Sequence, residues 1–442
     1  MAMGEARTKE AARQIAMVCL DELVPEDDRY RRIDELVGDW GFVREAARPY
    51  YAEGAGRPSV DPTVLLKLML AGALEGIGSM RELLRVAAVR LDLRLFLGYG
   101  LGERLPAHQT ISEAQTLRFA DGDPFERLFL RTVSLCKEQR LIEGSHLSVD
   151  GFHAEANAAL RSLRASLQPI AGEAAAAEAE DGPAPEPPQL RLAEPRSGPT
   201  PKRRASNATA VSTTDADARL KGKPGQRPHL VYRGHVAVDP KARCVAACLG
   251  ERAEGHEGDA LAPILDRARF VLPRLASVGA DQGFAAERVW EDAEQRRIVA
   301  YLPPQKTMLP REGRTPRTNG QRLALEAKAR TKSERGLWAY RQRMADAEGV
   351  IAELKNMHGL DRARCRGTPA FHIQLLVGCA ALNLKRLARH APTAQEAIAA
   401  AAKAATATAA TPATDHNDPS SRRRPLVHSS HQLLWTVSLC LN

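Results

Sequence analysis

Cysteine pairs are missing from this sequence of 442 residues. It contains seven cysteines, an odd number, and no two of them form a C-x-x-C pair. Disulfide-rich secreted domains and zinc ribbons need paired cysteines at regular spacings, so neither class is indicated. We therefore expect reduced thiols, most of them buried.

Segments that direct a chain to or through a membrane are also missing. No basic stretch followed by an apolar one opens the chain, and no apolar run approaches the length of a membrane-spanning helix. These absences predict a cytoplasmic protein with no membrane partner. Hydrophobic residues make up 44% of the chain, and its length predicts two or three domains.

Acidic residues are outnumbered by basic ones, 54 to 63, which gives a net charge of +9. The excess is concentrated in residues 306–366, where 15 basic residues face 7 acidic ones. Such a segment favours a polyanionic partner, and nucleic acid is the commonest one. Charge alone does not separate a nucleic-acid-binding protein from a basic protein of another class.

Residues 1–140 are predicted to form an all-helical N-terminal domain. Apolar residues recur at helical spacing in residues 61–74, where Asp61 suits the N-cap and Pro62 the first helical position. Ser79 starts a second helix, and residues 95–112 are expected to be a loop. Short helices joined by turns and carrying arginines resemble a helix-turn-helix DNA-binding domain, while a generic helical bundle remains open.

Residues 141–390 are predicted to form an α/β domain. Three strands come first, beginning with a short one that ends at Asp150. A helix, a strand, a second helix and a fifth strand follow, then a basic irregular loop over 305–330 and long helices from 333 onwards. This order predicts a mixed sheet flanked by helices.

Two low-complexity regions accompany this domain. Residues 160–215 are rich in Ala, Pro, Glu, Gly and Ser, which predicts a disordered insertion within the domain. Residues 391–442 are expected to be a disordered or weakly helical tail.

Two predicted strands end in an aspartate close to a glycine, Asp150 in "SVDG" and Asp281 in "GADQG". Adjacent strands of this kind would bring both acids to one edge of the sheet, and glycine lets a ligand approach the backbone. Transfer of a phosphodiester uses two Mg²⁺ ions held by such carboxylates. A third acid is expected from the helix that follows the fifth strand.

That helix offers three acids, and helical spacing favours Glu348. Arg341 lies seven residues before Glu348 and Lys355 seven after it, so all three share one stripe. Cations above and below a metal-binding acid could hold a DNA backbone. Asp346 and Glu353 lie on other faces, where solvent exposure or local pairing suits them. On this helix alone, a salt-bridged surface is the favoured explanation of the stripe, and the two strand-end aspartates reverse that preference.

Four segments in order resemble the DDE transposases of bacterial insertion sequences. "VDGFHAEANAA" (149–159), "GADQGF" (279–284) and "YRQRMADAEGVIAELKNMHGLDRARCRG" (340–367) are similar to the first, second and third acidic motifs. Residues 56–83 are similar to the helical N-terminal domain of those proteins. The third motif resembles the Tyr-Arg-Glu-Lys signature of the IS-four/IS-five-like superfamily. Phe152 departs from the family, which usually has Thr or Ser there.

The resemblance implies an RNase H-like fold in which Asp150, Asp281 and Glu348 are both the catalytic and the metal-binding residues. It implies two Mg²⁺ ions as cofactor, with Mn²⁺ as a substitute. The DNA-contacting residues that it implies are Tyr340, Arg341, Arg343, Lys355, Arg362, Arg364 and Arg366.

The same resemblance implies double-stranded DNA as the partner, both terminal inverted repeats and target, and a homodimer or larger synaptic assembly in the nucleoid. Each element end would be hydrolysed and its 3′-hydroxyl joined to target DNA. An RNase H-like nuclease that does not join ends, or a catalytically silent DNA-binding relic, are the alternative functions.

Overall fold

The computed structural model of the chain describes residues 17–51, 59–165, 207, 210–222 and 227–390. The tail predicted over 391–442, and most of the insertion predicted over 160–215, lie outside these residues. None of the described helices is long and apolar enough to cross a membrane. Of the six cysteines within the described ranges, all are unpaired, four are buried and Cys19 is exposed, which confirms the expected free thiols.

The N-terminal region is helical, as predicted. Asp61 accepts a hydrogen bond from the Thr63 backbone N–H (2.8 Å) at the start of the helix that opens with Pro62. Ser79 caps the next helix in the same way through the Glu82 N–H (3.3 Å). The helices are α1 (Leu20–Leu23), α2 (Arg29–Val37), α3 (Gly41–Ala47), α4 (Pro62–Leu74), α5 (Met80–Val89), α6 (Leu91–Leu97), α7 (His108–Glu113) and α8 (Asp123–Glu138).

The loop predicted over residues 95–112 is shorter than expected. Helix α6 extends to Leu97, where Gly98 in a left-handed conformation ends it, and α7 begins at His108. Leu93, Phe96 and Leu97 are buried in the core of the helical region, and this packing stabilises α6 through a stretch with weak local helix signals.

Residues 146–301 contain the predicted mixed sheet. Its strands are β1 (His146–Glu155), β4 (Arg219–Lys221), β5 (His229–Asp239), β6 (Cys244–Arg252), β7 (Ser277–Gly279) and β8 (Val299–Tyr301). The spatial order is β4–β5–β1–β7–β8, and β6 also pairs with β5. Strand β5 is antiparallel to β1, β4 and β6, whereas β7 runs parallel to both β1 and β8. This mixed sheet with its flanking helices confirms the RNase H-like fold.

Five helices complete the domain: α9 (Leu261–Val271), α10 (Glu287–Gln295), α11 (Asn319–Lys332), α12 (Glu334–His358) and α13 (Thr368–His390). Helix α13 is buried along most of its length and packs against both the sheet and the N-terminal helices α4 and α8. The Asn383 amide binds the backbone of β6, accepting from the Val245 N–H (2.8 Å) and donating to the Val245 carbonyl (2.9 Å). The helical region and the sheet therefore share one core.

Two predictions about local structure were wrong. Residues 305–330 are not wholly irregular, because α11 begins at Asn319. The Thr318 hydroxyl oxygen caps this helix by accepting a hydrogen bond from the Gln321 N–H (3.2 Å). Strand β1 does not end at Asp150 but continues to Glu155, since each residue from Ser148 to Glu155 pairs with β5. Long-range pairing, rather than local sequence, sets the length of this strand.

The predicted insertion begins and ends with structure. Strands β2 (Leu163–Ala165) and β3 (Ala210–Ser212) form a separate antiparallel pair, with Ala165 opposite Ala210. The Ser162 and Ser212 hydroxyls share a hydrogen bond (2.8 Å) at its base. Residues 160–165 and 210–215 therefore belong to the folded domain.

Candidate active site

Two neighbouring parallel strands carry the first two acids. Ser148 of β1 is paired with Gly279 of β7, and Asp150 and Asp281 each come two residues later. Parallel strands with this register place both acids at the same edge of the sheet. Strand β7 ends at Gly279, whereas β1 continues along β5 to Glu155. The side of β1 that faces Asp281 therefore has no neighbouring strand beyond this point within the described part of the chain.

Asp150 is held in a largely buried position. Its Oδ1 accepts a hydrogen bond from the Gly151 N–H (2.8 Å), and its Oδ2 accepts one from Arg343 Nη1 (2.9 Å). Burial raises the pKa of Asp150 to about 6, against the lowering effect of the Arg343 guanidinium and the Gly151 hydrogen bond. The charges of Asp281 and Glu348 raise this pKa further, so the three predicted acids interact electrostatically.

Glu348 reaches the cluster through Arg343. Its side chain is half exposed, and its Oε1 lies 3.3 Å from Arg343 Nη2. The same guanidinium therefore binds Asp150 and Glu348 at once. Arg343 stands on the core-facing stripe of α12 with Ala339, Val350 and Leu354, which explains why it points inwards.

Asp281 is positioned by the turn that follows it. Its Oδ1 accepts a hydrogen bond from the Gly283 N–H (2.9 Å) and caps the short helical turn Gln282–Phe284. Phe284 is fully buried beneath this turn and fixes it to the core.

The two other acids of α12 are paired away from this edge. Asp346 is buried, and its Oδ1 lies 3.0 Å from Arg243 Nε. Glu353 contacts Lys385 Nζ (2.8 Å) and the Arg386 guanidinium, both on α13. Both acids therefore lie on other faces than Glu348, as helical spacing predicted, but their ion pairs join distant parts of the chain and Asp346 is not exposed to solvent.

The residues that the resemblance implies as DNA contacts occupy different environments. Tyr340, Arg341, Arg362 and Arg366 are exposed, and Arg343 is buried among the acids. Lys355 is half-buried, and its ammonium group lies 5.5 Å from the centre of the Phe152 ring. Arg364 is half-buried near Gly78 and Gly359, and burial lowers its pKa.

Phe152 is accommodated by a glycine on the neighbouring strand. It is paired with Gly234 of β5, and its side chain is buried. A methyl group on Gly234 would come within 2.7 Å of Phe152 Cζ, so the ring fills the space that a side chain would occupy. Phe152, two residues after Asp150, therefore packs beside Lys355 and leaves the position of Asp150 unchanged.

The sequence patterns did not predict one acid that lies near the site, Glu257. Glu257 lies between β6 and α9, in the "GHEGD" segment (255–259). His256 is a cap, with Nδ1 accepting the Gly258 N–H (3.0 Å), and Asp259 pairs with Arg288. Glu257 instead points to the turn after Asp281: a methyl group on Gly283 would lie 2.5 Å from Glu257 Oε2 and 3.1 Å from Asp281 Oδ1. No periodic pattern marks this residue.

The residues at this edge fit a divalent cation by their chemistry. Carboxylate oxygens are the ligands that Mg²⁺ prefers, and Asp150 is a buried carboxyl among like charges that a cation would offset. In the arrangement described, no three His, Cys, Asp or Glu side chains of the described ranges converge on one point suited to an ion. Arg343 supplies the positive charge between Asp150 and Glu348 in this arrangement.

Comparison with protein families finds two matches along the chain. Residues 18–117 match a model described as a transposase domain (DUF772), and residues 199–384 match a model described as a transposase DDE domain. Both models describe domains of transposases. The DDE match includes Asp281 and Glu348 and starts after Asp150.

Comparison with solved structures lists a cryo-EM structure of a piggyBac transposase synaptic complex with hairpin DNA. Its identity to this chain is 9%, with 82% of this chain and 75% of that chain covered and a TM-score of 0.36. No match is found among curated proteins.

Proposed function

We propose that this protein is a DNA transposase of the Tyr-Arg-Glu-Lys branch of insertion-sequence DDE enzymes. It would bind the terminal inverted repeats of its element, hydrolyse the phosphodiesters at the ends and join the 3′-hydroxyls to target DNA. The observation that carries this proposal is the placement of Asp150 and Asp281 at one sheet edge, with Glu348 joined to Asp150 through Arg343.

The proposed catalytic residues are the three carboxylates, which would hold two Mg²⁺ or Mn²⁺ ions. When bound, such ions neutralise charge on the attacking and leaving oxygens of an in-line displacement at phosphorus. Asp150 and Asp281 offer oxygens from a rigid sheet edge, and the half-exposed Glu348 can turn towards them from α12. Arg343 bridges Asp150 and Glu348 and orients Asp150 through its 2.9 Å contact.

DNA would be held by exposed cations around this edge. Arg341, Arg362 and Arg366 are exposed, and Tyr340 offers an aromatic face beside them. Lys355 lies against Phe152, two residues after Asp150 in β1, where it can contact a phosphate near the cleaved bond. The N-terminal helices would recognise the terminal repeats, and a homodimer in the nucleoid would bring two ends together.

Substitution of the three acids tests this function. We expect Asp150→Asn, Asp281→Asn and Glu348→Gln each to lower Mg²⁺-dependent cleavage of element-end DNA by at least about a hundredfold, because each removes a metal-binding charge. Binding of the end duplex should be retained. Gel analysis of paired ends with a target plasmid separates nicked from joined products.

Glu353→Gln is the matched control, since it changes an acid of the same helix that is paired with α13. Cleavage lost in Glu353→Gln and kept in Glu348→Gln would refute the assignment of the third acid. Nicked ends without joined product in the unaltered protein would favour a nuclease that does not join.

A further inference from the structure

Glu257 lies between the two strands that carry the aspartates. It opens the short helical turn Glu257–Ala260 that follows β6. A methyl group on Gly151, next to Asp150, would be 3.5 Å from Glu257 Oε1, and one on Gly283 would be 2.5 Å from Glu257 Oε2. One oxygen of the carboxyl group therefore faces Gly151, next to Asp150, and the other faces Gly283, in the turn after Asp281.

This carboxylate differs from its neighbours in having no cation. Within the described ranges, the Glu257 side chain forms neither a hydrogen bond nor an ion pair, and it is half-buried. Asp259, two residues later, pairs with Arg288, and Glu254, three residues earlier, pairs with Arg219. A partly buried negative charge beside other carboxylates is unfavourable unless a cation offsets it.

His235 provides a second, independent observation at the same place. Its ring is fully buried, and its Nε2 lies 3.1 Å from Glu251 Oε1. Its Nδ1 is buried without a hydrogen-bond partner and would lie 3.1 Å from a methyl group on Gly151. Because the Glu251 carboxylate can only accept, a neutral His235 carries its hydrogen on Nε2 and presents a lone pair at Nδ1. The space beside Glu257 is therefore suited to a hydrogen-bond donor, such as a water carried by an ion.

We propose that Glu257 supplies a fourth carboxylate to the cation site of Asp150, Asp281 and Glu348. This inference rests on the proposed function, because it assumes that the sheet edge binds a divalent ion. Glu257 adds a negative charge from the β6–α9 connection, whereas Glu348 adds one from α12. Its role would be to hold the ion at Asp281, the aspartate with which it shares the Gly283 turn.

Direct measurement of ion binding tests the inference without relying on activity. Mn²⁺ would be titrated into the full chain without DNA, and the unbound ion followed by its electron paramagnetic resonance signal. We expect Glu257→Gln, which keeps the shape and removes the charge, to weaken Mn²⁺ binding at least about tenfold. Glu257→Ala should weaken it to a similar degree. The matched control is Asp259→Asn, because Asp259 belongs to the same turn but is exposed and paired with Arg288; its Mn²⁺ affinity should be unchanged.

Asp281→Asn separates this inference from the proposed function. Wild-type Mn²⁺ affinity in Asp281→Asn would refute the cation site itself. Lost binding in Asp281→Asn with undiminished binding in Glu257→Gln would refute the role of Glu257 alone. Thermal unfolding without Mn²⁺ shows that each variant is folded, and Glu257→Gln should unfold no earlier than wild type, since it removes an uncompensated charge.

Discussion

Arg343 is the residue on which the charge balance of the acidic edge depends. Its side chain is only 10% exposed, and the guanidinium contacts Asp150 and Glu348 with different nitrogens. The family signature implies that it contacts DNA, whereas in this arrangement its charge is directed at the acids. An arginine in this position holds the Asp150 and Glu348 carboxylates together before any cation binds.

Removal of the Arg343 charge should lower the free energy of unfolding and increase the stabilisation that a bound cation provides. Arg343→Met leaves Asp150 buried near two carboxylates, which should cost about 3–5 kcal/mol of unfolding free energy, as for other broken buried pairs. Saturating Mn²⁺ should then raise the thermal unfolding midpoint of Arg343→Met more than that of wild type. Arg341→Met, on an exposed face of the same helix, is the control. Equal Mn²⁺-induced shifts in all three proteins would contradict this role.

The sequence predicted part of the site because part of it follows local rules. Asp150 and Asp281 are recognisable from the pattern of an apolar strand followed by aspartate and glycine. The burial of Arg343 was also accessible, since Ala339, Val350 and Leu354 mark the apolar stripe on which it stands. Glu257 was not accessible, because only the tertiary path from β6 to α9 brings it to Asp281.

At the scale of elements, α12 is attached to α13 by an ionic contact. Glu353 of α12 binds Lys385 and Arg386 of α13, and His358 Nε2 lies 3.9 Å from its Oε1. The neighbouring His358 ring and the charges of Lys385 and Arg386 hold the pKa of Glu353 well below its usual range, against the raising effect of burial. The contact therefore joins α12 to α13 away from the acidic edge.

This contact should make stability depend on pH. A carboxyl group whose pKa is lowered by folding stabilises the protein above its unfolded pKa, about 4.3, and loses that contribution as pH falls below it. Glu353→Gln should therefore cost about 1–2 kcal/mol at pH 7 and progressively less below about pH 4. Urea unfolding at pH 7 and pH 3 measures this difference, with Glu26→Gln, an exposed acid in a turn, as control. A cost that stays constant down to pH 3 would refute the pairing.

The order of strands and helices was predictable, and their lengths were not. Apolar residues alternate between the spacing of strands and the spacing of helices from His146 to His390, and this alternation predicted the order of the elements. The extension of β1 and the existence of α11 depend on partners that are not adjacent in the chain, namely β5 for the strand and α10 and β8 for the helix. The pairing of Phe152 with Gly234 is of the same kind, because neither residue indicates the other in the sequence.

For the molecule as a whole, the helical region and the sheet are joined at α12 as well as at α13. The His358 ring lies with Nδ1 2.9 Å from the Ala73 carbonyl oxygen of α4. The C-terminal end of α12, the helix that carries Glu348, is therefore fixed to α4. The domain boundaries at residues 140 and 390 stay a prediction. The boundary at 140 separates two expected functions, DNA recognition and catalysis, within one shared core.

The positive charge of residues 306–366 should appear in the salt dependence of DNA binding. Each phosphate contact releases counterions, so the logarithm of the binding constant should fall steeply and linearly with the logarithm of salt concentration. Arg311, Arg314 and Arg317 are exposed in the segment before α11. Replacing all three by Gln should reduce the slope by roughly 2–3. Fluorescence anisotropy of an end duplex measures it, and an unchanged slope would contradict a role for this segment in holding DNA.

The β2–β3 pair has a consequence for how this chain tolerates change in length. Because Ala165 and Ala210 are paired opposite one another, the segment between these two strands begins and ends at neighbouring positions. Asn207, near the end of that segment, exchanges two hydrogen bonds with the Leu220 backbone of β4. Doubling the length of a loop between fixed ends costs only about 0.6 kcal/mol of closure entropy, so a change in the number of residues between β2 and Asn207 should alter the stability of the domain little.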